Sequence, residues 1–313
     1  MVINIQQQKI LNLSKSHFQQ GLDLVNAGDT EAALECFSLA LESNPKFIAC
    51  LNQMARLYEA NKDYPRAIDC LQKLVELHPN PDGFQFILDR LILKHEAGAA
   101  SEDYLKPEDF GTPEVENDRF RAKVEQLQSM KLPIYLQFGF GDTPFVDFLN
   151  IDVLLVPKAR NAISRNMHER IFLFPWLEKA LPIPDNSVDF IFHQDLFEHL
   201  SQMHQFLLLA EARRVLKPSC IHRINTPCIA DSMRVGSDFS KGFEGVHTEE
   251  WTKHGHVNVP TRGIIEEMAR IVGYSHSLFN SKNGSVSGIK FREYRPGPDR
   301  NQLTGSIFAE LVK

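Results

Sequence analysis

The stretch "DFIFHQDLFEHL" (Asp189 to Leu200) sets His193, Gln194 and Asp195 where an apolar run ends, with Glu198 and His199 just beyond. Imidazole, amide and carboxylate groups at a strand end can hold a ligand or move a proton. The same residue types also populate ordinary surface, and spacing alone leaves both readings open. Histidine takes up protons most readily near neutral pH, so His199 and His256 are the candidate bases, followed by His193 and Asp195. A second concentration, "HTEEWTKHGHVNV", holds His247, His254 and His256. Metal ligation is set aside there, because no cysteine or acid pair stands at ligand spacing. The expectation is no metal. A third feature is "FGFGDTPF", in which Gly139 and Gly141 permit a tight turn and close backbone approach to a ligand. The third glycine of a dinucleotide fingerprint is missing.

Elements that would position these groups follow from apolar periodicity. "PIYLQFGF", "FLNIDVLLV", "RIFLFPW", "DFIFHQD", "CIHRINTP" and the closing "SIFAELVK" read as strands. "LFEHLSQMHQFLLLAEARRVL" and "TRGIIEEMARIVG" read as helices. Such alternation predicts an α/β fold with a mainly parallel sheet and helices on both faces, whose ligands bind at the carboxyl ends of the strands. His193 to Asp195 fall at such an end, and Glu198 and His199 fall on the first turn of the long helix.

The N-terminal third is organised differently. A shift of 34 positions superposes Gly21 on Ala55, Leu24 on Tyr58, Ala33 on Ala67, Phe37 on Leu71, Ala40 on Leu74 and Pro45 on Pro79. Small residues let paired helices approach, large apolar ones fill the groove, and the proline stops the second helix. Over residues 14 to 81 this resembles the tetratricopeptide repeat, with "GFQFILDRLILKHEAG" as a capping helix. Departures are His17 and Gln20. The expected boundaries are a repeat domain over 1–97, a linker and connecting helix over 98–131, and an α/β domain over 132–313.

A formal charge of -6 without a basic block argues against nucleic acid as a general partner. No apolar run approaches the ~20 residues that span a bilayer. Five cysteines form no C-x-x-C pair, and the first residues lack a secretory pattern, so a cytoplasmic location with reduced thiols is expected. Cys36 and Cys70 occupy equal places in the repeat and read as small core residues.

Three segments in order, "YLQFGFGDTPFVDFLNIDVL", "ALPIPDNSVDFIFHQDLFEHL" and "EARRVLKPSCIHRINTP", together resemble the Rossmann-like, S-adenosylmethionine-dependent methyltransferases of the type 11 kind. The resemblance covers residues 130 to 230 and more loosely the tail. It implies that Gly139, Phe140 and Gly141 line the methionine end of the cofactor and that Asp142 holds its amino group. Asp152 would accept from the ribose hydroxyls, and His193 and Gln194 would lie beside the sulfonium. Asp195, Glu198 and His199 would face or brace the acceptor pocket. Where family members often carry an Asp for the adenine amino group, this chain has Trp176, whose indole can stack on a purine. Ser219 and Cys220 replace the usual glycine pair, and Asp195 replaces a usual histidine.

The leading expectation is methyl transfer to a small-molecule or sugar acceptor, at oxygen. The alternatives are a protein methyltransferase whose repeats recruit the substrate, and a non-catalytic adaptor with a degenerate cofactor site. The repeats would engage a protein partner or a second copy of the chain.

Overall fold

Five helices open the chain because small and large apolar residues recur at helical spacing, and three of them have a clear capping residue. In the computed structural model, which describes residues 5–78, 82–98, 104–156, 163–228, 255–258, 260–293 and 306–313, these are α1 (Ile5–Ala27), α2 (Thr30–Ser43), α3 (Ile48–Ala60), α4 (Tyr64–Leu77) and α5 (Asp82–Gly98). Asp29 and Asp63 cap α2 and α4 by accepting the amides of Ala32 and Arg66. Gly28, at φ +83°, ends α1 in the left-handed conformation. Gly21 lies so close to the Phe37 ring that a Cβ there would overlap it, which is the close approach the small-residue pattern requires. Ala33, Phe37, Ala40, Ala67, Leu71 and Leu74 are buried, as is Cys70, whereas Cys36 is only half-buried. Cys36 is thus not the core residue its repeat position suggested.

The chain divides into two compact units, Met1–His95 and Glu96–Lys313. The second opens with helix α6 (Pro113–Ser129). It buries Phe120, Val124 and Leu127 in the core of the sheet.

That sheet has seven strands: β1 (Tyr135–Phe138), β2 (Leu149–Asp152), β3 (Ile171–Leu173), β4 (Val188–Gln194), β5 (Leu216–Thr226), β6 (His276–Phe279) and β7 (Ile307–Val312). Their spatial order is β3-β2-β1-β4-β5-β7-β6. The first five are parallel, and β7 runs antiparallel to both β5 and β6. The order reverses direction between β1 and β4, the switch point at whose carboxyl edge ligands bind in sheets of this kind.

Alternation along the strands sends Leu136, Phe138, Leu149, Ile151, Phe172, Ile191 and Ile224 into one apolar core with α6, α7 (Gln202–Val215) and α8 (Arg262–Val272). The other face carries Gln137, Asn150, Arg223, Asn225 and Glu310, all buried. Phe145, Phe148, Phe190, Phe192 and Phe291 cover part of it, with ring centroids 5.0–6.1 Å apart. Residues 139–148, which connect β1 to β2, contain no helix.

Candidate active site

The turn after β1 is set by two left-handed glycines. Gly139 has φ +60° and Gly141 φ +57°. A Cβ on Gly139 would stand 2.9 Å from Leu196 Cδ1, so the β1 and β4 loops touch at this point. Gly141 has open space around it, and only its backbone angle calls for glycine. Its amide donates to Asp152 Oδ2 at 3.2 Å, while Val153 N donates to Oδ1 at 2.8 Å. Asp152, at the end of β2, therefore ties the glycine turn to the neighbouring strand. Burial pushes its pKa up, and the backbone amides pull against that shift.

Phe140 is buried in a separate apolar cluster with Leu105, Leu155, Ile163, Met167 and Ile171. Its side chain anchors the turn. Asp142 is half-buried beside Gly141.

Trp176 is buried, with its ring 4.6 Å from that of Phe138. Its indole N–H has no acceptor among the described residues. Beside it lies a cavity of ≈ 360 Å³ lined by Phe138, Leu177, Ala180, Leu208 and Glu211 as well as Trp176 itself. A buried indole without a hydrogen-bond partner, beside a cavity of that size, is suited to a flat heteroaromatic ligand.

His193 and Gln194 occupy the last positions of β4, and both are buried. His193 is 0% exposed, stacked 5.9 Å from Phe197 and 5.0 Å from His222. Burial pushes its pKa down to about 3. His222 is likewise held well below its usual range by burial and by the neighbouring imidazole, and its Nδ1 lies 3.0 Å from the Tyr274 hydroxyl. Gln194 Oε1 accepts from Asn225 Nδ2 at 3.2 Å. The resemblance assigned both to the sulfonium region, but their side chains are core groups of the sheet.

Asp195 follows with φ +51°. A non-glycine residue held in the left-handed region at a strand end is a common mark of a functional turn. Its amide donates to Asn225 O at 3.0 Å.

The long helix expected from Leu196 is broken in two. Phe197–His199 is a separate 3-10 turn, and α7 begins at Gln202. Ser201 starts the new helix, its hydroxyl accepting the amide of His204. Glu198 and His199 consequently stand above the strand ends and not on α7. Glu198 is 1% exposed, and Thr226, the last residue of β5, donates its hydroxyl to Glu198 Oε2 at 2.9 Å. The Glu198 carbonyl accepts the amides of Val257 at 2.9 Å and Asn258 at 3.2 Å. Asn258 also donates to Leu200 O at 2.6 Å and accepts from Gln205 Nε2 at 2.8 Å. This clamp presents His256 to His199, their rings 5.0 Å apart.

The two candidate bases, distant in sequence, thus meet, and Glu198 joins them. Thr226, Gln205 and Asn258, which hold the cluster together, carried no signal beyond the adjacent "EH" and "GHVN". His247 and His254 lie outside the described residues.

Comparison with known proteins agrees with this layout. Residues 149–223 match the family model described as a methyltransferase domain, and residues 24–86 match a tetratricopeptide repeat model. The first span runs from β2 into β5, and so includes Asp152, Trp176 and the β4 loop. A search of curated proteins found no match. Similar solved structures include an S-adenosylmethionine-dependent methyltransferase from Thermotoga maritima, at 16% identity and TM-score 0.38 over 63% of this chain and 91% of that one. One from Archaeoglobus fulgidus has 13% identity and TM-score 0.39 over 66% and 97%. One from Mesorhizobium loti has 14% identity and TM-score 0.39 over 60% and 96%.

Within the second unit, residues 149–223 thus match a methyltransferase domain. Tetratricopeptide repeats precede it. Among the described residues no helix is long and apolar enough to cross a membrane.

Proposed function

We propose that this domain methylates an oxygen of a small-molecule or sugar acceptor at the carboxyl edge of β1, β4 and β5. The observation that carries the reading is the convergence there of the glycine turn, Asp152 and the Glu198–His199–His256 cluster. When bound, S-adenosylmethionine supplies a methyl group on a sulfonium, which is open to in-line displacement.

The residues present fit that group. Gly139 and Gly141 keep the turn clear for its amino-acid end, with Asp142 beside them. Asp152 can accept from the ribose hydroxyls, since an ionised carboxylate has roughly four lone-pair sites and two oxygens that accept strongly. The orphaned Trp176 N–H and the cavity beside it suit the purine. Much of the catalysis in such a site is positioning, worth ~7–11 kcal/mol at best. His199 and His256, with Asp195 at the turn before them, would orient the acceptor and receive its proton, an effect of roughly 10²- to 10⁴-fold. The repeats would serve as a protein-binding module or a self-association surface, and a cytoplasmic location suits the reduced thiols.

The Ser219–Cys220 departure does not favour a degenerate site. Ser219 N donates to Lys313 O, and Lys313 N donates to Cys220 O. Both residues lie near the amino end of β5, at the opposite edge of the sheet from Thr226.

Calorimetric titration of the full-length protein with S-adenosylmethionine and S-adenosylhomocysteine tests the reading. Micromolar binding is expected, weakened at least tenfold by Asp152→Ala, a loss of ~1.4 kcal/mol. Absence of binding to the folded protein at millimolar ligand would sink it.

A further inference from the structure

The Glu198–His199–His256 cluster has a geometry that proton transfer alone does not require. One ligand-type atom from each residue falls within 4.8 Å of the other two. Tetrahedral ligands at ~2.0–2.1 Å from an ion stand ~3.3 Å apart, so modest side-chain rotation would close the group around one. We propose that these three residues form a site for a divalent first-row transition-metal ion, at which the acceptor's oxygen is held. The role, though not the site itself, rests on the methyltransferase reading above.

Two independent observations concern what lies behind the ligands. Metal-binding imidazoles usually donate their second ring N–H to a carbonyl or carboxylate, which fixes the tautomer and aims the other nitrogen. His199 Nδ1 lies 3.3 Å from the carbonyl oxygen of Gly255. In the tautomer that donates there, Nε2 bears the lone pair a metal needs. Metal-binding carboxylates are in turn hydrogen-bonded, and Thr226 donates to Glu198 Oε2 at 2.9 Å. The third ligand is brought in by the backbone clamp on Val257 and Asn258, not by sequence proximity. Glu198 is buried and His199 exposed, which leaves an entry path for the ion.

Two imidazoles and one carboxylate favour zinc, iron(II), manganese or cobalt over magnesium or calcium, which prefer all-oxygen shells. Three protein ligands leave positions open. An acceptor hydroxyl coordinating there ionises more easily, as metal-bound water does. Its proton passes to solvent, and the electron pair left on oxygen forms the new bond to the methyl carbon as the carbon–sulfur bond breaks and its pair returns to sulfur, leaving the neutral thioether S-adenosylhomocysteine. The cluster would then act on the acceptor through the ion and not as a free imidazole base.

The test uses the full-length protein, stripped with a chelator and titrated with Co²⁺ while visible absorption is followed. One saturable equivalent is expected, displaced by Zn²⁺ and indifferent to millimolar Mg²⁺. His199→Ala and His256→Ala should each weaken it at least tenfold. Thr226→Val should weaken it by ~10-fold or more, and Thr226→Ser should restore it, as for other hydrogen bonds behind metal ligands. Circular dichroism checks that each variant is folded. Acetohydroxamate, a bidentate oxygen ligand, should shift the Co²⁺ bands. No stoichiometric Co²⁺ on the folded protein, or binding that both histidine variants leave intact, overturns the site. Bands indifferent to acetohydroxamate overturn its role toward the acceptor. S-adenosylhomocysteine titrated into the same samples separates the two readings. Metal bound without nucleoside leaves the site standing and removes the methyltransferase, while nucleoside bound without metal does the reverse.

Discussion

His193 makes the second unit acid-labile in a way that can be worked out from its burial. It is fully buried, and neither ring nitrogen has a hydrogen-bond partner among the described residues. The unfolded chain binds a proton near pH 6.5, whereas the folded one does so only near 3. Between those values the unfolded state holds more protons. Stability is therefore fully present above pH 6.5 and falls as the pH drops below it. At pH 5 the gap is about 1.5 pH units, or ~2 kcal/mol at 1.36 kcal/mol per unit. That is a substantial share of the 5–15 kcal/mol typical of a domain. His222 shifts the same way and steepens the fall.

The perturbation is His193→Phe, which keeps a ring stacked on Phe197 and removes the proton site. Both tryptophans, Trp176 and Trp251, belong to the second unit, so their fluorescence follows its unfolding without reporting on the repeats. Guanidinium midpoints between pH 7.5 and pH 5 give the slope of stability with pH for each protein. The wild type should lose ~2 kcal/mol more than the variant over that range. Overpacking by the larger ring can cost ~1–3 kcal/mol, but it shifts the whole curve and not its slope. Equal slopes would refute the assignment of the linkage to His193. The variant also tests the role implied by the family resemblance: a group in the core of the sheet should leave S-adenosylhomocysteine affinity unchanged, whereas a cofactor contact should not.

Other perturbations have signs equally well defined. Gly139→Ala places a Cβ against Leu196 at φ +60°, adding ~1–2 kcal/mol of backbone strain; calorimetry should show cofactor affinity falling by at least tenfold, and unchanged affinity would separate the turn from the cofactor site. Arg223→Met removes the guanidinium that donates to Glu293 at 2.6 and 3.1 Å and lies 3.6 Å from Glu310, all three groups being buried. Stranding two carboxylates should cost ~3–5 kcal/mol in fluorescence-monitored denaturation. Ser219→Gly relieves a left-handed residue at φ +64° and should raise stability by ~0.5–1 kcal/mol in the same assay, with cofactor binding untouched.

The legible parts of the fold were those written in local periodicity. The helix pairs of the repeat follow from Gly21, Ala33 and Phe37 and their partners 34 positions on, because each small residue must meet a large one. The parallel strands follow from apolar runs ending in glycine or polar residues. The end of α7 is held by contacts that no local pattern announces. Arg214 bridges Asp185 and Glu211, each at 2.6 Å, and donates to the carbonyls of Leu181 and Ile183. Short edge strands are harder to see. β6 alternates between exposed and half-buried residues and is defined by pairing with β7, not by its own composition. Arg223, Glu293 and Glu310 also escape local reading. Each is an ordinary charged residue until the chain closes on itself.

The site divides along the same line. The placement of Gly139, Gly141 and Asp152 was readable because their constraints are local: two left-handed turns, and a carboxylate at the end of a strand. His193 was misleading for an equally physical reason. Strand periodicity assigns it to a face but cannot say whether that face is crevice or core at the last residues of β4, and here Phe197 closes over it. Glu198 lies on the far side of that turn. Because Asp195 takes a left-handed conformation and Ser201 restarts the helix, the Phe197–His199 turn lifts Glu198 and His199 above the strand ends. A continuous helix from Leu196 would instead have carried them along α7. The third member comes from a segment more than fifty residues later, held by hydrogen bonds from its own backbone to the Glu198 carbonyl. Ligand spacing along the chain was the ground for setting metal aside in the histidine-rich stretch, and it does not describe a cluster drawn from two distant segments. The spacing that matters is between ligand atoms, and it is created by a break in a helix.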